Sequence, residues 1–272
     1  MTATRRKPTS YLIIGSGRVA RHLQHYFYLL KESYLHSEAQ KATNRSKDIS
    51  ARPASVDNEW ALDTWDRAQD PLALARKIEA ADHILLAISD DSLESFYLKN
   101  IDGLDKVCVH FSGAKQIPNT VAAHPLMTFS HELYDLSFYQ RIHFVVTGAD
   151  SLQEAIPDFR NSSSVLFSAE KAKYHALCVM GGNFTNLLIS KMLQDFEAYD
   201  IPLEASRLYM DAVVENVFAD RGHSLTGPLA RKDLQTIRAN LKALESDPYE
   251  EIYESFVKAY IPDFVKKKEG EA

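Results

Sequence analysis

Gly15-Ser16-Gly17-Arg18-Val19-Ala20 has the residue types and spacing to hold a pyrophosphate, G-x-G-x-x-A. It follows the apolar run Tyr11-Leu12-Ile13-Ile14 and opens an amphipathic stretch, so it reads as strand, glycine turn, helix. Gly15 allows the tight turn out of the strand. Gly17 lets backbone approach a phosphate with no Cβ in the way, and Ala20 lets the helix lie close to the strand. The free N–H groups and partial positive charge of the helix start complete the anion site, and Arg18 could reach a phosphate from within the turn. Gly15 to Ala20 is therefore the expected cofactor-binding turn. The alternative is a turn that uses glycine only for close packing and binds nothing.

Ligands on open α/β sheets bind at the carboxyl ends of strands, so the other strand ends are the next places to look. Trp65-Asp66-Arg67 closes the second strand. An acidic residue there suits the ribose 2′-hydroxyl of NAD, and a cation suits the 2′-phosphate of NADP. Both are offered, and Arg67, able to stack on adenine and pair with phosphate, tips the expectation to NADP, with NAD possible. Ser89-Asp90 and Ser112-Gly113 close the third and fourth strands, where a nicotinamide or substrate would lie. His110 reads as a satisfied core histidine. His124, before Pro125, could donate to a carbonyl or act as an acid, or could simply sit in a turn. His175 and Asn183 are about two helical turns apart and so share a face with Thr185, which could meet the cofactor cleft or line an interface. Thr226-Gly227-Pro228 through Arg231-Lys232-Asp233 could form a polar substrate pocket, Arg231 holding a carboxylate, or only start a helix. No metal site is expected, since His22 and His25 lack a third ligand.

These groups need a scaffold. The first half alternates strands with helices: Tyr11–Gly15, a helix over about Arg18–Lys31, a strand at Ala61–Trp65, a helix from Asp70-Pro71 to about Ala81 and a strand at His83–Ile88. A helix capped at Ser89–Glu94 and strands at Lys106–Phe111, Val121–Ala123, Ile142–Thr147 and Val165–Phe167 follow. That pattern implies an α/β fold with a mostly parallel sheet covered by helices. Ser33 to Asn58 turns polar without periodicity and reads as a long insertion or mobile loop. From Ala169 the pattern is helical almost throughout: one long helix over Tyr174–Tyr199, interrupted or closely packed at Gly181-Gly182, then Leu203–Phe218, then Leu234–Leu244. A last helix starts at Asp247-Pro248-Tyr249-Glu250, with Glu250 in a capping box. The division is a dinucleotide-binding domain over 1–168 and an all-α domain over 169–272.

The 272 residues, 45% hydrophobic and 25% charged, suit a globular protein of one large or two modest domains. A net charge of −6 argues against a general nucleic-acid surface. Ile84–Ile88 is too short to span a bilayer, and residues 2–10 are polar, with Arg5, Arg6 and Lys7 reading as a solvated tail. Cys108 and Cys178, far apart and in apolar surroundings, read as core thiols of a reducing, cytoplasmic compartment.

Taken in order, Gly15–Ala20, Trp65-Asp66-Arg67, Ile88-Ser89-Asp90-Asp91, His110-Phe111-Ser112-Gly113-Ala114, His124-Pro125-Leu126 and Leu225-Thr226-Gly227-Pro228 resemble a little-characterised family. Its members are Rossmann-type proteins classed as NADP oxidoreductases, with a helical C-terminal domain of unknown function. They are more distantly similar to pyrroline-5-carboxylate reductases and to the 6-phosphogluconate and ketopantoate dehydrogenases. The resemblance covers nearly the whole chain outside Ser33–Asn58. The family's late motif reads Arg-Gly-Asp where this chain has Arg231-Lys232-Asp233. The resemblance implies NADP at the glycine turn with Arg67 near the 2′-phosphate, a cleft between domains, and a homodimer built through the helical half. If the chain is an NADP-dependent reductase or dehydrogenase, the residues themselves suggest His124 or His175 to relay a proton, Ser112 and Asn183 to orient a small-molecule substrate, and Thr226 and Arg231 to bind it. The lysine–asparagine pair of hydroxyacid dehydrogenases has no clear counterpart, Lys171 and His175 competing as partners of Asn183. The rival expectation is a non-catalytic dinucleotide-binding or interaction protein.

Overall fold

The computed structural model of the chain describes residues 8–45 and 60–264, which form two compact units, one through Asn186 and one from Leu187. The first unit is built on one seven-stranded sheet. Its strands are β1 (Thr9–Ile14), β2 (Trp60–Trp65), β3 (His83–Leu86), β4 (Val107–His110), β5 (Val121–Pro125), β6 (Phe144–Thr147) and β7 (Ser163–Val165). They lie in the order β2-β1-β3-β4-β5-β6-β7, and all neighbours are parallel except β5 and β6. The expected α/β architecture is present, a Rossmann-like sheet with helices and then an all-helical region. No strand follows Val165 among the described residues.

Both faces of the central strands are covered, so they read as unbroken apolar runs. Side chains alternate across the pleat. Tyr11, Ile13 and Leu85 enter one core with Phe27, Val109, Tyr139 and Phe159. Leu12, Ile14, Ile84 and Leu86 enter the other with Ile78, Leu93, Tyr97 and Cys108. The chain leaves β1 through α1 (Arg18–Arg45) to reach β2 on one side, while β3 lies on the other side. The carboxyl ends of β1 and β3 therefore flank the point where strand order reverses, the place such sheets reserve for ligands.

Two helices differ from the sequence pattern. The stretch from Ser33 was expected to be a loop, but α1 continues to Arg45; residues 46–58 lie outside the described residues. Apolar periodicity fades after Leu30, yet nothing in Ser33–Arg45 is Gly or Pro, and Glu, Ala, Gln and Lys are good helix formers. Helix propensity alone can carry such a stretch where no apolar periodicity marks it. Further on, α6 (Lys171–Cys178) passes through a π-helical turn, Val179–Phe184, into α7 (Thr185–Ala198). At Gly181-Gly182, where the long helix was expected to be interrupted or closely packed, the winding changes within one helix. In a plain α-helix eight residues overshoot two turns by about one residue, which the wider i→i+5 turn absorbs. His175 and Asn183 are thereby brought closer to one face.

The remaining helices of the first unit are α2 (Pro71–Ala80), α3 (Asp90–Asn100), α4 (Leu136–Arg141) and α5 (Leu152–Ala155). Asp70 caps α2 as expected, its Oδ1 accepting from the Leu72 amide at 2.9 Å. The second unit contains α8 (Leu203–Ala219), α9 (Gly227–Arg231), α10 (Leu234–Ala243) and α11 (Glu250–Tyr260). Ile237, Leu241, Val257 and Phe264 form its core. Asp247 anchors the start of α11, where its carbonyl accepts from the Glu250 amide at 3.0 Å. Its Oδ1 accepts from the Tyr249 amide, and its Oδ2 receives Lys191 at 2.7 Å.

The continuous helix Ser168–Ala198 is long and apolar enough to cross a membrane by composition, and none of its most apolar window is buried within the chain. Polar and charged residues interrupt it, so no single unbroken apolar run marks it in the sequence.

Candidate active site at the carboxyl ends of β1, β3, β4 and β5

β1 ends against its neighbour rather than in open solvent. The Gly15 amide donates to the Trp65 carbonyl at 2.9 Å, and the Ala87 amide donates to the Ile14 carbonyl at 2.8 Å. Gly15 has φ +134°, and a Cβ there would be driven into the Ala87 carbonyl. Only glycine fits. Gly17 is a different case, since a Cβ there would meet no protein atom within 4 Å. Its smallness serves nothing in the fold; it leaves space open above the first turn of α1. Ala20, fully buried, packs the helix onto the sheet. The first turn of α1 contains no acidic residue, so its amides face that space uncompensated. By contrast α3 carries Asp90 and Asp91 in its own first turn.

A cavity of about 760 Å³ runs over these ends. Gly15 to Val19 form its floor, Trp65, Asp66 and Arg67 one end, and Ser89, Asp90, Phe111 and Ser112 the other. Asp66 is engaged locally, its Oδ1 accepting from the Ala68 amide at 2.8 Å. Arg18 and Arg67 are exposed and form no ion pair among the described residues. At the far end the Ser112 hydroxyl donates to Asp90 Oδ2 at 2.7 Å and accepts from the Ala114 and Lys115 amides. Ser112 thus ties the β4 turn to the start of α3.

Beside Ser112 stands a group of basic side chains, His124 from β5 and Lys171 and His175 from α6. A Cβ on Gly113 would collide with the His175 ring and lie 3.0 Å from His124 Nε2. Glycine at 113 therefore lets both imidazoles close over the end of β4. The two rings are edge to face, with centroids 6.0 Å apart. His124 Nδ1 and the Tyr174 hydroxyl are 2.7 Å apart. Lys171, 2% exposed, donates from Nζ to the Lys115 carbonyl. Burial lowers the Lys171 ammonium to about 8, with exposed Asp90 pulling the other way. Burial also lowers His124 to about 4, helped by His175 and Lys171. Burial pushes the Tyr174 phenol up, beyond its ordinary value of 10.0.

The structure brings together Ser112, His124 and His175, all expected, with Tyr174 and Lys171. Tyr174 was not singled out from sequence. Its neighbour His175 drew attention as an imidazole, whereas an isolated Tyr in a helix looks like core. Asn183 is exposed on the π-helical turn. Thr226 and Arg231 belong to the second unit and are exposed. Thr226 precedes α9, Arg231 ends it, and Asp233 caps α10 through the Thr236 amide at 3.1 Å. Lys232, in place of the family's glycine, has φ +53° at the end of α9, a left-handed turn that favours glycine.

Two expectations are corrected. Cys178 is part-buried rather than a core thiol, while Cys108 is buried. His110 is buried, 1% exposed, but not satisfied: its Nδ1 has no hydrogen-bond partner. His22, set aside as a metal ligand, is a joint. Its ring nitrogens meet the Tyr139 hydroxyl at 2.7 Å and the Ser130 carbonyl at 3.0 Å.

Residues 143–260 match a family described as a domain of unknown function, DUF2520. No curated protein matches the chain. Among solved structures it is similar to a provisionally named NADP oxidoreductase from Bacteroides fragilis. That match has 20% identity, a TM-score of 0.63, and covers 93% of this chain and 98% of that one. A reductive aminase from Aspergillus terreus, in complex with NADPH and ethyl levulinate, matches at 14% identity and TM-score 0.52, over 95% and 100% of the two chains. A 1-pyrroline-5-carboxylate reductase from Streptococcus pyogenes matches at 12% and 0.50, over 94% and 97%. At such identities the likeness is one of fold, and it extends over nearly the whole of each chain.

Buried His110 makes a pH prediction. Burial lowers its pKa from 6.5 to about 4. Below 6.5 the unfolded chain binds a proton that the folded chain refuses until about pH 4. Its contribution is therefore full above pH 6.5 and is lost as the pH falls toward 4. At about 1.4 kcal/mol per pKa unit that interval corresponds to about 3 kcal/mol. Urea unfolding across this range should show a clearly shallower pH slope in His110→Gln than in the parent. Identical slopes would show that His110 does not titrate as described.

Proposed function

We propose that this chain is an NADP-dependent oxidoreductase that transfers hydride to or from a small carbonyl, imine or hydroxy acid. The observation that carries the reading is the empty volume above Gly17, which no protein atom needs. It opens into a cavity long enough to run from Arg67 past the α1 amides to Ser112. The amides of the Gly15–Ala20 turn would hold the pyrophosphate. Arg67, with Asp66 occupied by its own turn, would meet the 2′-phosphate, and Arg18 would back the phosphates. Ser89 and Asp90 would flank the nicotinamide end. NADP, when bound, would supply the hydride chemistry. The chain's own work is to orient the reacting group near Ser112 with His124, His175 and Asn183, and to keep water out.

A second reading has one observation in its favour. Both His110 and His124 are lowered to about 4, so neither is an imidazolium reserve near neutral pH. That suits a nucleotide-binding protein without turnover.

Calorimetric titration with NADPH and NADH tests the first premise. NADPH should bind at least tenfold more tightly than NADH, about 1.4 kcal/mol. Arg67→Ala should remove most of that preference. Gly17→Asp, which places a carboxylate in the phosphate volume, should abolish binding. Failure of every dinucleotide to bind would overturn the oxidoreductase reading.

We also propose a soluble homodimer formed through the helical unit. Leu208, Val213, Val214, Val217 and Phe218 are exposed along α8, an apolar load that a second copy would cover. With a net charge of −6, nucleic acid is not the expected partner. Two unpaired cysteines fit the cytoplasm. Sedimentation velocity at micromolar concentration should give a dimer; a monomer would contradict the assignment.

A further inference from the structure

The Ser112 hydroxyl, in the cavity wall at the end away from Arg67, is fully engaged within the protein. A hydroxyl has one hydrogen to give and two lone pairs to receive with. Its hydrogen goes to Asp90 Oδ2 at 2.7 Å, and its oxygen accepts from the Ala114 amide at 3.2 Å and the Lys115 amide at 3.0 Å. Nothing is left for a ligand. What this hydrogen bonding fixes is the Asp90 carboxylate. Asp90 stands in the first turn of α3 but caps none of its amides, and its Oδ1 has no partner among the described residues.

Asp90 also has that end of the cavity to itself. The charged side chains of the wall are Arg18, Asp66, Arg67 and Asp90. The first three belong to the glycine turn and the segment after β2, and Asp66 is held by the Ala68 amide. The Lys171 ammonium is no part of the wall and is fixed on the Lys115 carbonyl. A group lodged beside Ser112 thus meets the Asp90 carboxylate before any cation. Asp90 is exposed. A flat ring lying over it would displace water and strengthen its field.

We propose that Asp90 stabilises the positively charged ring of an oxidised nicotinamide and so makes the bound cofactor a stronger hydride donor. The inference rests on the oxidoreductase reading and gives it a direction, reduction of the substrate. With the pyrophosphate on the Gly15–Ala20 turn and the 2′-phosphate at Arg67, the nicotinamide falls at the Ser112 end. Hydride transfer breaks a C–H bond on the reduced ring and forms one on the substrate carbon. Two electrons move with the hydrogen, the ring is left with one positive charge, and the carbonyl oxygen or imine nitrogen takes a proton from water. A fixed carboxylate beside the ring lowers the energy of the charge as it develops. By linkage, tighter binding of the oxidised form lowers the potential of the bound couple.

Calorimetric titration of the full chain with NADP⁺ and with NADPH reads this without any substrate. The informative quantity is the ratio of the NADPH Kd to the NADP⁺ Kd, because a merely structural loss weakens both forms alike. Asp90→Asn keeps an oxygen for the Ser112 hydroxyl and removes the charge. It should lower the ratio at least threefold, which raises the potential of the bound couple by about 14 mV. Asp91→Asn removes the same charge from the next residue, which is exposed and outside the cavity wall, and should leave the ratio unchanged. A ratio unmoved by Asp90→Asn, or moved equally by Asp91→Asn, would overturn the proposal while the oxidoreductase reading stood. Failure of the wild type to bind either form would overturn both.

Discussion

The approach of Gly15 to the Ala87 carbonyl is the constraint on which the site depends. It brings the end of β1 so close to the segment after β3 that no side chain can stand between them. The chain must then turn at once and enter α1 with its first amides aimed over the sheet. Those amides are electrostatically useful only because no acidic residue occupies the first turn. Open space above Gly17 completes the arrangement. Close packing below and vacancy above are supplied by two glycines with opposite reasons for being glycine.

A second close approach governs the other end. Gly113 allows His124 and His175 to crowd over β4, and that crowding desolvates His124 enough to keep it neutral. Lys171, from the start of α6, is pinned to the Lys115 carbonyl behind the turn that Ser112 holds. The cavity therefore has an electrostatic direction. One end offers exposed arginines and helix amides suited to phosphates. The other is walled by Ser89, Asp90, Phe111 and Ser112, the Asp90 carboxylate accepting from the Ser112 hydroxyl.

The fold was legible wherever burial imposes a pattern. β1 and β3 are buried on both faces and show as solid apolar runs, and α2 announces itself through Asp70-Pro71. The outer part of α1 was not legible, because past Leu30 the sequence has no apolar periodicity and leaves only propensity as its signal. Of the site, the glycine turn was readable since its spacing is dictated by sterics alone. Ser112, His124 and His175 were identified by residue type at strand ends or on a helix stripe. Tyr174 was not legible, and Lys171 stood only as a rival partner for Asn183, because their contacts are with segments 50 and 56 residues away in sequence. Asn183 and His175 share a face more closely than an even helix would allow, owing to a π-helical turn that no local pattern predicts.

The central claim is that phosphates of a dinucleotide sit on the first turn of α1. Hydrogen-exchange mass spectrometry of the intact chain, with and without saturating NADPH, examines those amides directly. The account predicts slowed exchange over residues 15–20 and 66–67, with a smaller effect around Ser112 and Gly113. Exchange unchanged at residues 15–20, or slowed only elsewhere, would contradict it.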